Sequence, residues 1–117
     1  MIVGSVSDDG APEVVLELAG RRWPAIVDTG FNGDLELPDE LRSILPHEYI
    51  GRVISNLAGG QRIEEDAYTV EVPFDGELVS AEVTFVTGEQ ILIGTRLLWQ
   101  HRLEVVFPKS TVTVERV

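Results

Sequence analysis

The sequence of 117 residues contains no cysteine and only two histidines, His47 and His101. The lack of cysteine excludes a disulfide framework, thiolate chemistry and cysteine-ligated zinc sites. Two histidines so far apart in the sequence make a histidine-rich metal centre or a Ser-His-Asp triad a poor explanation of the chain. We therefore expect no metal and no cofactor.

Basic residues are also few: nine Lys and Arg stand against twenty Asp and Glu, which gives a formal net charge of −11. Such a charge argues against a nucleic-acid-binding face or attachment to an anionic membrane. No apolar run approaches the length of a membrane span, and the stretch from Met1 to Val6 lacks the basic region and long apolar core of a signal peptide. The sequence predicts a cytoplasmic protein with neither nucleic acid nor membrane as partner.

Hydrophobic residues make up 44% of the chain, enough for one domain over residues 1–117 with a core of its own. They occur in short, often alternating runs between turn residues, a pattern typical of strands. Residues 13–27 indicate a β-hairpin, and Asp75-Gly76 indicates the turn of a second one. Helical spacing occurs after Pro38 and again over residues 95–101. The predicted fold class is mostly β with one or two short helices.

One apolar strand, Pro24 to Val27, runs straight into Asp28-Thr29-Gly30. A carboxylate removed from water needs a compensating partner, so Asp28 lies either where the strand emerges or in a partly dry site that uses a carboxylate. Taken alone, the tripeptide is equally well explained as an ordinary turn. A later stretch, Gln90 to Gly94, is also an apolar triplet that ends at glycine. Two such units predict apolar runs lying side by side, with Asp28 presented from a rigid core.

These residues resemble the retropepsin-like aspartic proteases, in particular the small single-domain prokaryotic members. Three signatures occur in the order of that family: Ile26 to Gly30, a glycine-bearing hairpin over residues 50–66 with its tip at Leu57 to Gly60, and Ile91 to Leu98. The resemblance covers the chain from about residue 13 to 107. It implies an acid-protease β-barrel with a flap hairpin that works as a homodimer.

The resemblance also implies an aspartic endopeptidase, in which two carboxylates share a proton and activate water to hydrolyse a peptide bond. Because the chain has a single Asp-Thr-Gly, a second copy has to supply the other Asp28, and the substrate is a peptide or protein. In the family, the threonine of the motif bonds across the twofold axis. The implied catalytic residues are Asp28, Thr29 and Gly30, and the implied substrate-binding residues are Phe31, Asn32, Leu57, Ala58, Gly59, Gly60 and Ile93.

Two features depart from the family pattern. Phe31 stands where better-known members carry Ser, Thr or Ala, and a further strand, Thr111 to Val117, follows the expected end of the domain. The dimer-forming sheet could therefore be built differently. Phe31 favours an alternative function, a dimeric binding or scaffold module that keeps the fold without cleaving peptides. A third interpretation is a calcium loop over residues 28–39, which has the required glycine at its sixth position but a strand before it.

Overall fold

The computed structural model describes residues 1–56 and 59–117, in which ten strands form one continuous sheet. The spatial order of the strands is β5-β6-β7-β4-β8-β3-β2-β1-β10-β9. The strands are β1 (Ile2–Val6), β2 (Pro12–Leu18), β3 (Arg21–Val27), β4 (Leu35–Pro38), β5 (Glu48–Asn56), β6 (Arg62–Phe74), β7 (Glu77–Val86), β8 (Ile91–Ile93), β9 (His101–Val106) and β10 (Thr111–Arg116), and two 3₁₀-helices span Asp39–Ser43 and Phe107–Lys109.

The hairpins form where the turn residues indicate them. Strands β2 and β3 reverse at Ala19 and Gly20, whose φ angles are 51° and 73°. Strands β6 and β7 reverse at Asp75 and Gly76, with φ angles of 49° and 80°. Two successive positive φ angles match the twist of the flanking strands, and glycine takes such angles without steric cost. Both predicted hairpins are confirmed.

The centre of the sheet holds the two apolar runs that the sequence singles out. Strand β8 lies between β3 and β4, parallel to β3 and antiparallel to β4. The register pairs Ala25 with Ile91 and Val27 with Ile93. The predicted side-by-side placement is therefore confirmed. Since β3 and β4 flank β8, residues 28–34 have to pass around its end to join them.

The pleat divides the central strands into a core row and an outward row. Val27, Ile93, Leu35 and Val83 are paired in register and are at most 4% exposed. The next row consists of residues one position away, which point to the opposite face because side chains alternate along a strand. The outward row contains Ile26, Leu92, Glu36 and Thr84.

The helical segments differ in part from the prediction. The segment after Pro38 is a 3₁₀-helix, but residues 95–101 are not helical. Residues 95–100 form consecutive turns, with the N–H of Leu98 bonded to the carbonyl of Thr95. The N–H groups of Thr95 and Arg96 are bonded to the loop that follows β3, and His101 already belongs to β9. Too few residues remain between these anchors for an α-helical turn to propagate.

The first and last strands of the chain pair with each other. Strand β1 lies between β2 and β10, and β9 forms the outer edge of the sheet beyond β10. Val112 and Val114 of β10 are fully buried, so the last strand belongs to the core. In the part of the chain that the structure describes, no helix is long and apolar enough to cross a membrane.

Candidate active site

Asp28 lies where β3 leaves the sheet. Its N–H donates to the carbonyl of Ile93, at 2.9 Å, which extends the β3–β8 ladder by one residue. Its side chain is half-buried, whereas Thr29 and Gly30 are exposed. Ile93 itself is fully buried, so its side chain packs in the core while its carbonyl fixes the Asp28 backbone. A buried strand pair thus holds the start of an exposed loop.

The three residues Asp28-Thr29-Gly30 form a turn closed by two hydrogen bonds. The N–H of Gly30 donates to Oδ1 of Asp28 at 2.9 Å, and the N–H of Phe31 donates to the Asp28 carbonyl at 3.1 Å. A backbone donor fixes one carboxylate oxygen, and Oδ2 is left to face other groups. Because Gly30 lacks a side chain, nothing covers the carboxylate from this position; a Cβ there would lie 3.2 Å from Oδ1.

The rest of the loop is tied to the chain after β8. Thr95 and Arg96 donate their N–H groups to the carbonyls of Phe31 and Gly33, at 2.9 and 3.2 Å. The N–H of Gly94 donates to the carbonyl of Asp34 at 3.0 Å. These bonds join the loop to the second apolar run, so the carboxylate of Asp28 rests on a backbone with little freedom to move.

Close packing at Gly94 requires glycine. A Cβ added there would collide with the carbonyl oxygen of Gly33 and would lie 2.8 Å from Cδ2 of Phe31. A Cβ at Gly33 would lie 2.7 Å from Cζ of the same ring. The ring of Phe31 therefore rests on both glycines, which makes this residue part of the packing of the loop.

The outward row of the central strands lies beside Asp28. Asp28 follows Ile26 by two positions, so both belong to the same face of the strand, together with Leu92 and Glu36. Ile26, Leu92 and Glu36 are half-buried. Burial raises the pKa of Glu36 above its ordinary value of 4.5, and the negative charges of Glu65 and Asp28 raise it further. The face next to the candidate catalytic carboxylate thus presents two apolar side chains, Ile26 and Leu92, and one additional acid.

The glycine-bearing hairpin predicted over residues 50–66 corresponds to strands β5 and β6, which pair antiparallel as far as Asn56 and Arg62. Of its predicted tip, Gly59 and Gly60 are exposed and have φ angles of 88° and 83°. Leu57 and Ala58 lie outside the described residues. The negative charge of Glu65 on β6 contributes to the raised pKa of Glu36.

Arg42 ties the base of that hairpin to the first 3₁₀-helix. Its Nη1 donates to the hydroxyl of Tyr68 on β6 at 2.8 Å, and its guanidinium carbon lies 4.8 Å from the centre of the Phe85 ring. The same side chain pairs with Asp39 at 3.0 Å. A cation over aromatic rings with a directed hydrogen bond is a stabilising contact.

The structure brings the predicted residues of the motif together in one loop and places the side chain of Ile93 in the core. Asp28, Thr29, Gly30 and Phe31 share one turn, and Asn32 is exposed in the same loop. Two residues of interest, Glu36 and Arg42, are absent from the prediction. The alternation of Leu35-Glu36-Leu37 was a usable signal for Glu36, since both leucines are buried and the residue between them has to face outward.

A cavity of about 690 Å³ opens on another side of the loop, where Asn32, Trp99 and His101 are among the lining residues. Asp28 is not among them, so this cavity is separate from the candidate carboxylate. The calcium interpretation finds no support: Asp34 accepts the N–H of Glu82 at 2.8 Å and Asp39 pairs with Arg42. Within residues 1–56 and 59–117, no group of three or more His, Asp and Glu side chains could hold a metal ion.

Comparisons with known proteins find no matching family model and no matching curated protein. Among solved structures, a retropepsin-like aspartic protease from Rickettsia conorii is similar over 97% of this chain and 89% of its own, with a TM-score of 0.63 and 15% identity. The protease of simian foamy virus is similar over 74% of this chain and 90% of its own, with a TM-score of 0.55 and 22% identity. Identities this low carry information about the fold alone. The chain has a retropepsin-like fold.

Proposed function

We propose that this protein is an aspartic endopeptidase, a hydrolase that cleaves peptide bonds with water activated by an Asp dyad shared across a homodimer. The observation that carries the proposal is the turn Asp28-Thr29-Gly30. It lies at the end of a core strand in a retropepsin-like fold, and a backbone N–H of the turn binds one carboxylate oxygen. A rigid, half-buried carboxylate at an exposed loop can serve as one of the two carboxylates that this chemistry requires.

The chemistry needs two carboxylates with one proton between them. One carboxylate takes a proton from water, while the protonated partner gives its proton to the carbonyl oxygen of the substrate. Like charges held that close cannot both ionise, which keeps the single proton on the pair. Asp28 supplies one carboxylate for each chain, so a twofold axis next to Thr29 and Gly30 completes the dyad.

The exposed part of the loop suits a partner chain. Thr29 and Gly30 are both exposed, and Thr29 has a hydroxyl that can bond across the axis. Trp99 is 83% exposed, and β9 is an edge strand, so each offers contact area to a second copy. Sedimentation at micromolar concentration should show a dimer, and a monomer at every pH between mildly acidic and neutral would contradict the proposal.

The substrate lies, in this proposal, between the outward row of the central strands and the β5–β6 hairpin, which acts as the flap. A closing hairpin excludes water and completes the site. Phe31, Asn32, Leu57, Ala58, Gly59 and Gly60 contribute to substrate binding. Ile93 contributes through its carbonyl, which positions Asp28, because its side chain is buried.

A cleavage assay on a diverse peptide library, at several pH values, tests the proposal. Cleavage that pepstatin inhibits is the expected result. Asp28→Asn should lower kcat by about 10²–10⁴-fold, the range for loss of general acid–base catalysis. Asp8→Asn, at an exposed position outside the loop, is the control for the loss of a carboxylate, and a comparable loss in that variant would remove the assignment of Asp28.

A second candidate is a dimeric binding or scaffold module that retains the fold. Phe31 favours it, because a bulky ring directly follows the turn and occupies the space over Gly33 and Gly94. The two functions differ in one outcome. A module binds peptides without consuming them, so mass spectrometry of the peptide library would show intact peptides after incubation with a verified dimer.

A further inference from the structure

Glu36 belongs to the outward row, and nothing in the fold explains why an acid is found there. Its strand neighbours Leu35 and Leu37 are buried, which requires only that Glu36 face outward. On one side its register partner Leu92 and the next residue across, Ile26, are both apolar and half-buried, and on the other side its register partner is the buried Thr84. A half-buried carboxylate loses part of its hydration, which costs free energy unless a partner compensates it.

No protein cation supplies that compensation. Among the described residues, no Lys, Arg or His nitrogen lies within 4.0 Å of the Glu36 carboxylate. The charged groups that act on it, Glu65 from the β5–β6 hairpin and Asp28 from the loop, are both acidic. Of the two cations on the hairpin, Arg52 is directed towards Glu64 and Asp66, each at 3.9 Å, and Arg62 is paired in register with Asn56 at the outer end of the described ladder.

We infer that Glu36 determines specificity, and that it selects substrates with a lysine or arginine side chain near the scissile bond. This inference rests on the proposed function, since it assigns the outward row to the substrate cleft. A cationic side chain that lies along Ile26 and Leu92 buries its methylene groups on them and places its charged end at the Glu36 carboxylate. The net charge of −11 also attracts cationic peptides over longer distances.

Matched substrates test the inference. Peptides that differ only by lysine or norleucine have nearly the same aliphatic chain, so the comparison isolates the charge. Lysine and norleucine are placed in turn at each of the three positions on either side of the scissile bond. At one of these positions the wild-type protein should cleave the lysine peptide with a kcat/KM about tenfold higher than that of the norleucine peptide. This is the size expected for a charged hydrogen bond that is partly exposed.

The Glu36→Gln variant should reduce that preference to near equality, and Glu36→Lys should favour glutamate over glutamine at the same position. Glu71→Gln is the control: it removes the same charge from an exposed site on β6 and should keep the wild-type preference. Equal rates for lysine and norleucine at every position in the wild-type protein would overturn the inference. The inference would also be overturned if Glu36→Gln and Glu71→Gln reduced the lysine preference equally, because only the overall charge would then matter.

Binding measurements separate this inference from the proposed function. Titration calorimetry of the same peptide pairs with the Asp28→Asn protein needs no cleavage. Tighter binding of the lysine peptide that depends on Glu36, combined with no cleavage of any peptide by the wild-type protein, would leave the inference standing and remove the protease. Cleavage by the wild-type protein without any preference for lysine would support the protease and overturn the role of Glu36. Absence of both binding and cleavage would overturn both.

Discussion

The ring of Phe31 rests on Gly33 and Gly94, and the residue directly follows the Asp28-Thr29-Gly30 turn. A side chain this close to the proposed dyad has two separable effects. Its packing holds the loop against the chain after β8, and its lack of a hydroxyl deprives the carboxylate of one more hydrogen-bond donor. Both effects can be measured on one substitution.

Phe31→Ser should lower the free energy of unfolding by about 1–3 kcal/mol, because a partly buried ring is lost from its contacts with the two glycines. It should also move the pH–rate profile to lower pH, because a hydroxyl that bonds an ionised carboxylate favours the charged form. Urea unfolding and the pH dependence of kcat give the two readings. Phe31→Ala is the control, with a similar loss of stability and no hydroxyl; an identical pH profile for both variants would show that the hydroxyl does not act on the dyad.

Glu36 makes a pH-dependent contribution to stability whose sign follows from its raised pKa. An acid that ionises less readily in the folded state than in the unfolded state destabilises the fold once it is charged. The penalty is absent below the ordinary value of 4.5 and appears as the pH rises above it. Thermal unfolding of Glu36→Gln should therefore match wild type in strong acid and occur at higher temperature at neutral pH. A lower unfolding temperature at neutral pH would contradict the raised pKa.

At the scale of elements, Arg42 connects the β5–β6 hairpin to the 3₁₀-helix Asp39–Ser43. The outer part of the hairpin extends beyond β7, since residues 62–67 of β6 pair with β5 alone. Its base is held by the Arg42–Tyr68 hydrogen bond and by packing of His47, Tyr68 and Phe85 rings at 5.2–5.5 Å between centres. The orientation of the hairpin at its base thus depends on a small polar–aromatic cluster.

Arg42→Met keeps most of the side-chain volume and removes the charge and the donors. It should cost about 1–2 kcal/mol of stability, from the lost hydrogen bond and the contacts over two rings. If the hairpin is the flap, kcat/KM falls as well. Arg52→Met is the control on the same hairpin, where the ion pairs are exposed and 3.9 Å long, and should cost under about 0.5 kcal/mol. Equal costs for both variants would contradict the anchoring role of Arg42.

The strands and hairpins follow from sequence, because alternation and turn residues are local signals. Positive φ angles at Ala19-Gly20 and Asp75-Gly76 lie where the hairpin turns were predicted. The predicted helix over 95–101 is wrong because non-local contacts fix both ends of a short segment: Thr95 and Arg96 are bonded to the loop after β3, and His101 is already paired in β9. Contacts between distant segments leave no periodicity in the sequence, and the same reason hides the Arg42–Tyr68 pair, 26 residues apart.

The candidate site can also be predicted from the sequence only in part. The motif alone places Asp28 after a strand, and the second apolar run predicts the neighbour on which it rests. The role of Ile93 as a backbone anchor and the position of Glu36 beside Asp28 require the register of β3, β8 and β4. Register is set by which faces are buried across three strands, which a single strand's pattern does not specify.

At the scale of the whole molecule, the proposed active site is formed by two chains. In that proposal each chain contributes a single Asp28 from an exposed loop, so neither chain alone has the second carboxylate of the dyad. If Asp28 instead acted alone, for instance as a simple base, each subunit would carry its own activity. These two arrangements differ in how wild-type and inactive chains combine.

The most direct test mixes equal amounts of wild-type and Asp28→Asn chains and allows full exchange, with native mass spectrometry to verify the dimers. Random exchange gives about a quarter wild-type and about half mixed dimers. A carboxylate–amide pair cannot act as acid and base in one step, so mixed dimers should be nearly inactive. Activity per wild-type chain should fall to about half of its unmixed value. Activity per wild-type chain that stays unchanged after verified exchange would contradict the shared dyad.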